Sequence, residues 1–262
     1  MNKLGFIGMG NMAIAIAGGL VDKKVFEASN IYAYAPNQDK LKKNGELIGF
    51  NPVDSLLKLV DACDTVVIAC KPYQIDDVLS QVGDSLSGKN LISVAAGWTY
   101  DSFASKLNNV NIQCIMPNTP AMVGEGVFLF EETNSLPADV KAEVKTMFES
   151  LGVVVDMPTR LMGIGGAVSG CGPAFMDMVM EAYADAAVKY GIARNTAYKL
   201  VAQTMLGSAK LQLETGKHPG VLKDEVCSPN GTTIRGVASL EENGLRNACI
   251  KSIDVIMDSK KV

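Results

Sequence analysis

A chain of 262 residues is long enough for one large domain or two ordinary ones, each with a sizeable core. Hydrophobic residues make up 48% and charged residues 20%, which excludes a disordered composition. The net charge of −4 lacks the clustered Lys and Arg of a nucleic-acid footprint, and no apolar run approaches the roughly 20 residues of a membrane span.

The chain opens on an apolar stretch broken by Gly5, Gly8 and Gly10, with no small-residue cleavage site after it. A secretory signal is not expected. Residues 4–8, 31–35, 65–70, 91–95, 112–116 and 153–156 are short apolar runs bounded by Gly, Pro, Asn or Asp, and they read as buried strands. Amphipathic stretches at 12–23, 54–62, 74–86 and 138–150 alternate with them. That alternation predicts a parallel sheet with helices on both faces. Residues 123–130 read as an extra strand, antiparallel and near the sheet edge.

After Pro158 the pattern turns helical, with stretches at 173–190, 195–215, 219–227, 232–243 and 245–260. The expected division is therefore 1–157 and 158–262. Cys63, Cys70, Cys114, Cys171, Cys227 and Cys249 form no CxxC pair and have no His at ligand spacing. No metal is expected, and the scatter reads as reduced thiols in a soluble, cytoplasmic protein.

The most informative turn is Gly8-Met9-Gly10-Asn11-Met12-Ala13, a G-x-G-x-x-A pattern. Twenty-five glycines generate such matches by chance, but this one follows a strand and opens a helix. In that context it is a dinucleotide-binding fingerprint, with the pyrophosphate received by the backbone N–H groups of Gly10, Asn11 and Met12. An NAD site places Asp or Glu after the second strand. This chain has Tyr34-Ala35-Pro36-Asn37, which favours NADPH with NADH as the alternative. Lys40 or Lys42 could meet a 2′-phosphate, while Asn37 could touch the cofactor or cap a helix.

Three further segments follow strands. Ala69, Lys71 and Pro72, then Ala95, Ala96 and Gly97, then Asn118 are cofactor-side candidates, Lys71 and Asn118 having turn-holding roles as alternatives. In the helical half, Asn230-Gly231-Thr232-Thr233 precedes an apolar helix, a start suited to a carboxylate, with the hydroxyl of Thr232 or Thr233 beside it. His218, before a proline, reads as a turn residue. Asp177, Glu181 and Asp185 read as a solvated or subunit-contacting stripe rather than catalytic carboxylates.

FIGMGNM, ACKP, VAAG, MPNTPAMVGEG, VSGCGPAF and HPGVLKDEVCSPNGTTI together make the whole chain resemble the pyrroline-5-carboxylate reductases. The resemblance implies a Rossmann-type doubly wound α/β domain followed by an all-α dimerisation domain. It also implies a homodimer, with five dimers gathered as a decamer, and hydride transfer from NAD(P)H to the C=N bond of a cyclic imine carboxylate. Ser228, Asn230, Gly231, Thr232 and Thr233 would then hold the substrate, with Thr233 on the ring nitrogen, and Val94 to Gly97 with Lys71-Pro72 would line the nicotinamide. Two departures are Asn230, where the family usually has Gly, and Cys171, where it usually has Ser. The alternatives are a 3-hydroxyacid dehydrogenase on the same scaffold and a nucleotide-sensing protein without turnover.

Overall fold

The computed structural model describes residues 2–259; the basic pair Lys260-Lys261 lies outside them. The chain opens with β1 (Leu4–Ile7), α1 (Asn11–Asp22), β2 (Ile31–Tyr34), α2 (Gln38–Ile48) and the two-residue β3 (Asn51–Pro52). Next come α3 (Leu56–Ala62), β4 (Thr65–Ile68), α4 (Ile75–Val82), β5 (Asn90–Ser93), α5 (Tyr100–Ala104) and β6 (Asn111–Met116). Then β7 (Gly126–Glu131), α6 (Ala138–Glu149), β8 (Gly152–Met157) and α7 (Thr159–Ser169) complete a first compact unit ending at Gly170.

Its eight strands form one sheet in the order β3-β2-β1-β4-β5-β6-β7-β8. The first six strands are parallel, β7 runs antiparallel to β6, and β8 is parallel to β7. All six expected strands form. The seventh, expected at 123–130, is antiparallel as predicted, but β8 covers it and takes the edge position. Sequence reading gave no signal for β3, whose two residues pair only with Tyr32 and Ala33. It also missed α2, where Leu41 and Gly45 are the only buried residues.

Strand geometry explains the two cores. Successive side chains point to opposite faces. Leu4, Phe6, Val67, Ile92 and Ile115 therefore join α1, α2 and α6 on one side. Ile7, Val66, Ile68, Leu91 and Cys114 join α3, α4 and α5 on the other. Each fully buried Leu, Ile or Phe contributes about 1.5–3 kcal/mol. Phe148 of α6 packs edge-on against Phe128 and Phe130, fixing α6 over β7.

Helix α7 stays with this sheet although it follows Pro158. A Cβ on Gly166 would stand 2.0 Å from Met116 Sδ, and one on Gly165 2.6 Å from Leu129 Cδ1. Only glycine allows so close an approach. The change at Pro158 thus marks the end of the sheet, and the compact units divide at Gly170/Cys171. Gly152, at the start of β8, has φ +151° and no room for a Cβ, which would lie 2.0 Å from Gly126 O. Because backbone cannot yield as a flexible side chain can, Gly152→Ala should cost more than about 3 kcal/mol. Urea unfolding of the variant would show it as a lowered midpoint.

The second unit holds α8 (Gly172–Lys189), α9 (Arg194–Thr215), α10 (Pro219–Glu225), α11 (Thr232–Glu242) and α12 (Leu245–Ser259). Left-handed Gly216 stops α9, as a glycine just past a helix end does. Few side chains in this unit are covered: Ala184 and Ala197 are buried, while Met178, Leu213, Ile250 and Val255 are largely exposed. No helix among the described residues is long and apolar enough to cross a membrane. All six cysteines are free.

Candidate functional site

In the first unit the chain reverses its direction of travel between β1 and β4, which are neighbours in the sheet. Loops leaving the carboxyl ends of those strands diverge to opposite faces and open a crevice. The glycine turn sits there. Backbone pairing continues past the strand ends: Gly8 N–H donates to Tyr34 O at 2.8 Å, Ala69 N–H to Ile7 O at 2.9 Å and Val94 N–H to Ile68 O at 3.0 Å. Gly8, Ala69 and Val94 are thereby aligned along one sheet edge.

The two glycines of the turn do different work. Gly8 has φ +94°, and a Cβ there would stand 2.6 Å from Cys70 N. Gly10 has an ordinary φ of −85°, and a Cβ there would meet nothing within 4 Å. Gly10 is the N-cap of α1, no side chain caps that helix, and its first turn carries no acid. Its first N–H groups, with the positive end of the helix dipole, remain available to an anion. Ala13, fully buried, lets α1 approach the strand. An exposed, anion-favouring helix start without a Cβ in front of it fits a dinucleotide pyrophosphate.

The surrounding candidates lie at the same edge. Asn37, exposed after β2, caps α2 by accepting Lys40 N–H at 2.9 Å. Gln38, missed by sequence reading, fastens that loop through Nε2 to Ala35 O at 2.9 Å and Val53 O at 3.3 Å. No carboxylate follows β2 before Asp39, and Lys40 and Lys42 are exposed. Lys71 and Pro72 begin a short 3₁₀ turn in which Lys71 N–H donates to Gln74 Oε1 at 3.1 Å; the Lys71 side chain is exposed. Burial pushes the thiol of Cys70, the residue before Lys71, up to about 11, so it stays protonated and unreactive at neutral pH. Ala95 is buried, whereas Ala96 and Gly97 are exposed, with Gly97 at φ +81°. Asn118 is 6% exposed and acts as a strut: Nδ2 donates to Ser169 O at 3.0 Å, and Oδ1 accepts Val127 N–H at 2.8 Å.

The candidate substrate loop lies in the second unit. Ser228 O accepts Gly231 N–H at 3.0 Å, closing a turn over Pro229 and Asn230. Asn230 has φ +58°, a left-handed conformation that Asn adopts more readily than most residues. Its Oδ1 accepts Arg235 Nη2 at 2.9 Å. A Cβ on Gly231 would stand 2.4 Å from Ser228 Oγ and 3.1 Å from Ser228 O, so a side chain there would require the Ser228 hydroxyl to turn away. Gly231 caps α11 without a side-chain bond. Thr232 and Thr233 lie in the first turn, exposed, rather than capping the helix themselves. Again a helix start offers free N–H groups, here with two hydroxyls beside them.

Other polar groups have structural partners. His218 Nδ1 accepts Gly220 N–H at 3.0 Å and so caps α10. Asp185, from the acidic stripe of α8, pairs with Arg194. Lys189, the one lysine of α8, lies over the Tyr190 ring.

Comparison with known proteins agrees with both halves. Residues 159–261 match the family described as pyrroline-5-carboxylate reductase dimerisation, and residues 3–97 match NADP oxidoreductase coenzyme F420-dependent. The chain is 40% identical to pyrroline-5-carboxylate reductase of Escherichia coli strain K12, covering 99% of this chain and 97% of that one. It is 38% identical to the enzyme of that name from Treponema pallidum, over 98% and 99% of the two chains. The crystal structure of Plasmodium falciparum pyrroline carboxylate reductase with NADP bound superposes with a TM-score of 0.89 at 31% identity, covering 99% and 97%. Identity of 38–40% over nearly the full length, with the dimerisation family matched at residues 159–261, places this chain in the pyrroline-5-carboxylate reductase family.

Proposed function

We infer that the protein is an NADPH-dependent pyrroline-5-carboxylate reductase, reducing the C=N bond of Δ1-pyrroline-5-carboxylate to give L-proline, the last step of proline biosynthesis. The observation that carries this reading is a pair of helix starts, at Gly10 and Gly231, each lacking a side-chain cap and each preceded by a turn through a left-handed residue, Gly8 and Asn230. The bound NADPH supplies the hydride. Gly10, Asn11 and Met12 would hold its pyrophosphate, and the Ala95–Gly97 turn with Lys71 and Pro72 would flank the nicotinamide.

The second unit supplies substrate recognition. The free N–H groups at the start of α11 receive the carboxylate, with Ser228, Asn230 and Gly231 shaping the turn. The Thr233 hydroxyl orients the ring nitrogen and assists delivery of its proton. No strong base is required, because the imine is its own electrophile. A hydroxyacid dehydrogenase would need one, and on this unit Lys189 and His218 are engaged elsewhere.

The exposed apolar side chains of α8, α9, α11 and α12 support a homodimer, since a second copy of the chain would remove them from water. Five such dimers as a decamer, in the cytoplasm, complete the proposal; light scattering separates two chains from ten. The activity test follows NADPH absorbance on addition of pyrroline-5-carboxylate. No consumption by folded protein would sink the enzyme reading, and equal kcat/KM with NADH would sink the cofactor preference.

Asn230 gives a sharper expectation. Asn230→Gly keeps the left-handed turn but frees Arg235, so stability should change by less than about 1 kcal/mol. Because the side chain is turned to Arg235, KM for the imine should shift less than roughly threefold. A tenfold drop in KM would instead mean that Asn230 obstructs the pocket.

A further inference from the structure

Among the described residues, Glu131 is the one charged side chain that is buried, at 1% exposure. It ends β7, and among the described residues no cation forms an ion pair with it. Instead Oε2 accepts Tyr100 N–H at 2.7 Å and Oε1 accepts Thr159 Oγ1 at 2.7 Å. The Cys114 thiol is buried nearby, and burial together with this neighbouring carboxyl group pushes its pKa up, so that it stays protonated. A buried carboxyl group is costly unless hydrogen-bond partners surround it, and each of its two oxygens has one at 2.7 Å.

What Glu131 holds is informative. Tyr100 is the first residue of α5, three residues beyond Gly97. The turn from Ala95 to Gly97 is fastened at its start by Ala95 N–H on Ser93 Oγ at 3.3 Å. At its far end Trp98 packs on Phe103, ring centroids 4.8 Å apart, and Tyr100 N–H lies on Glu131. Between these anchors Ala96 and Gly97 are exposed, and a Cβ on Gly97 would meet nothing within 4 Å. The backbone position of the exposed stretch is therefore set by its two ends.

We propose that Glu131 is a positioning residue for hydride transfer: its carboxylate pins the start of α5 and so fixes the Ala95–Gly97 backbone where the nicotinamide is to lie. This rests on the assignment of that turn to the cofactor. Thr159 fixes the carboxylate from its other oxygen, so that the Tyr100 bond has one direction. The role is one of reach rather than charge. Gln has the same reach and an acceptor oxygen, whereas Asp keeps the charge but is one methylene short.

Trp98 is the only tryptophan, so its fluorescence reports this turn directly. The experiment compares Glu131→Gln, Glu131→Asp and Glu131→Ala, well below their melting temperatures. It measures acrylamide quenching of Trp98, NADPH affinity by titration of the same emission, and kcat and KM with pyrroline-5-carboxylate. Asp and Ala should raise Trp98 quenching about twofold, weaken NADPH binding and lower kcat roughly tenfold, while Gln stays within about threefold of wild type. If Ala does not fold, the Asp and Gln pair decides the matter. Lower melting temperatures with unchanged Trp98 quenching and kinetics would overturn the proposal and leave the turn's cofactor role standing. Increased Trp98 quenching with unchanged NADPH affinity and kcat would overturn both.

Discussion

Replacing Thr233 by Ala should lower kcat by roughly 10²-fold while leaving NADPH affinity within experimental error. The substitution removes one hydroxyl and keeps the backbone N–H in the first turn of α11, so the carboxylate retains its receptor. KM for the imine should consequently move much less than kcat. A loss of that size corresponds to about 2.7 kcal/mol of transition-state stabilisation. Thr233→Ser restores the hydroxyl and should recover most of the rate. The cofactor cradle belongs to the other compact unit. Parallel loss of NADPH binding and turnover would therefore show that Thr233 supports the fold rather than the imine nitrogen.

The second large effect separates the two glycines of the cofactor turn. Gly8→Ala forces a Cβ to 2.6 Å from Cys70 N at φ +94°, where neither backbone segment can retreat. It should cost more than about 3 kcal/mol and fail by unfolding. Gly10→Asp should behave in the opposite way. Position 10 has extended backbone and open space, and Asp is a favoured N-cap, worth roughly a few tenths of a kcal/mol over Gly to α1. Its carboxylate would accept the very N–H groups offered to the pyrophosphate and repel its charge. The variant should melt at or above the wild-type temperature and bind NADPH roughly 10²-fold more weakly, as titration calorimetry would measure. Tight NADPH binding by a stable Gly10→Asp protein would remove the pyrophosphate from this helix start.

Much of the fold was legible because it rests on local signals. Alternation of short Val- and Ile-rich runs with amphipathic stretches announces a parallel sheet, and all six strands read that way are present. The signal fails where local pattern is too short or too polar. β3 has two residues, and α5 has five, of which Phe103 alone is buried. The expected boundary near Pro158 coincides with the end of the sheet, whereas the compact units divide at Gly170/Cys171. The texture change at Pro158 is real, but Gly165 and Gly166 keep α7 on the sheet through contacts with Leu129 and Met116, residues remote in sequence.

The candidate sites divide similarly. The glycine turn and the Asn230–Thr233 segment are motifs of a few consecutive residues, and their backbone demands can be read directly. Asn118 could be read in two ways, and only its partners, Ser169 O and Val127 N–H, show it holding a loop. Glu131 could not be found at all, since a Glu followed by another Glu at a strand end reads as solvated.

The sequence by itself determined the class of fold, the nucleotide turn and the composition of the substrate loop, because helix starts, tight turns and period-two burial depend on neighbours within about four residues. The tertiary structure decided which polar groups are free and which are bound. It left the Gly10 and Gly231 helix starts open, closed the side chains of Asn118 and His218 into struts, and buried Glu131 against Tyr100 and Thr159. Each of these outcomes turns on the partners the folded chain brings to a side chain and the water it excludes: Ser169 reaches Asn118, and Tyr100 and Thr159 reach Glu131, from segments tens of residues away.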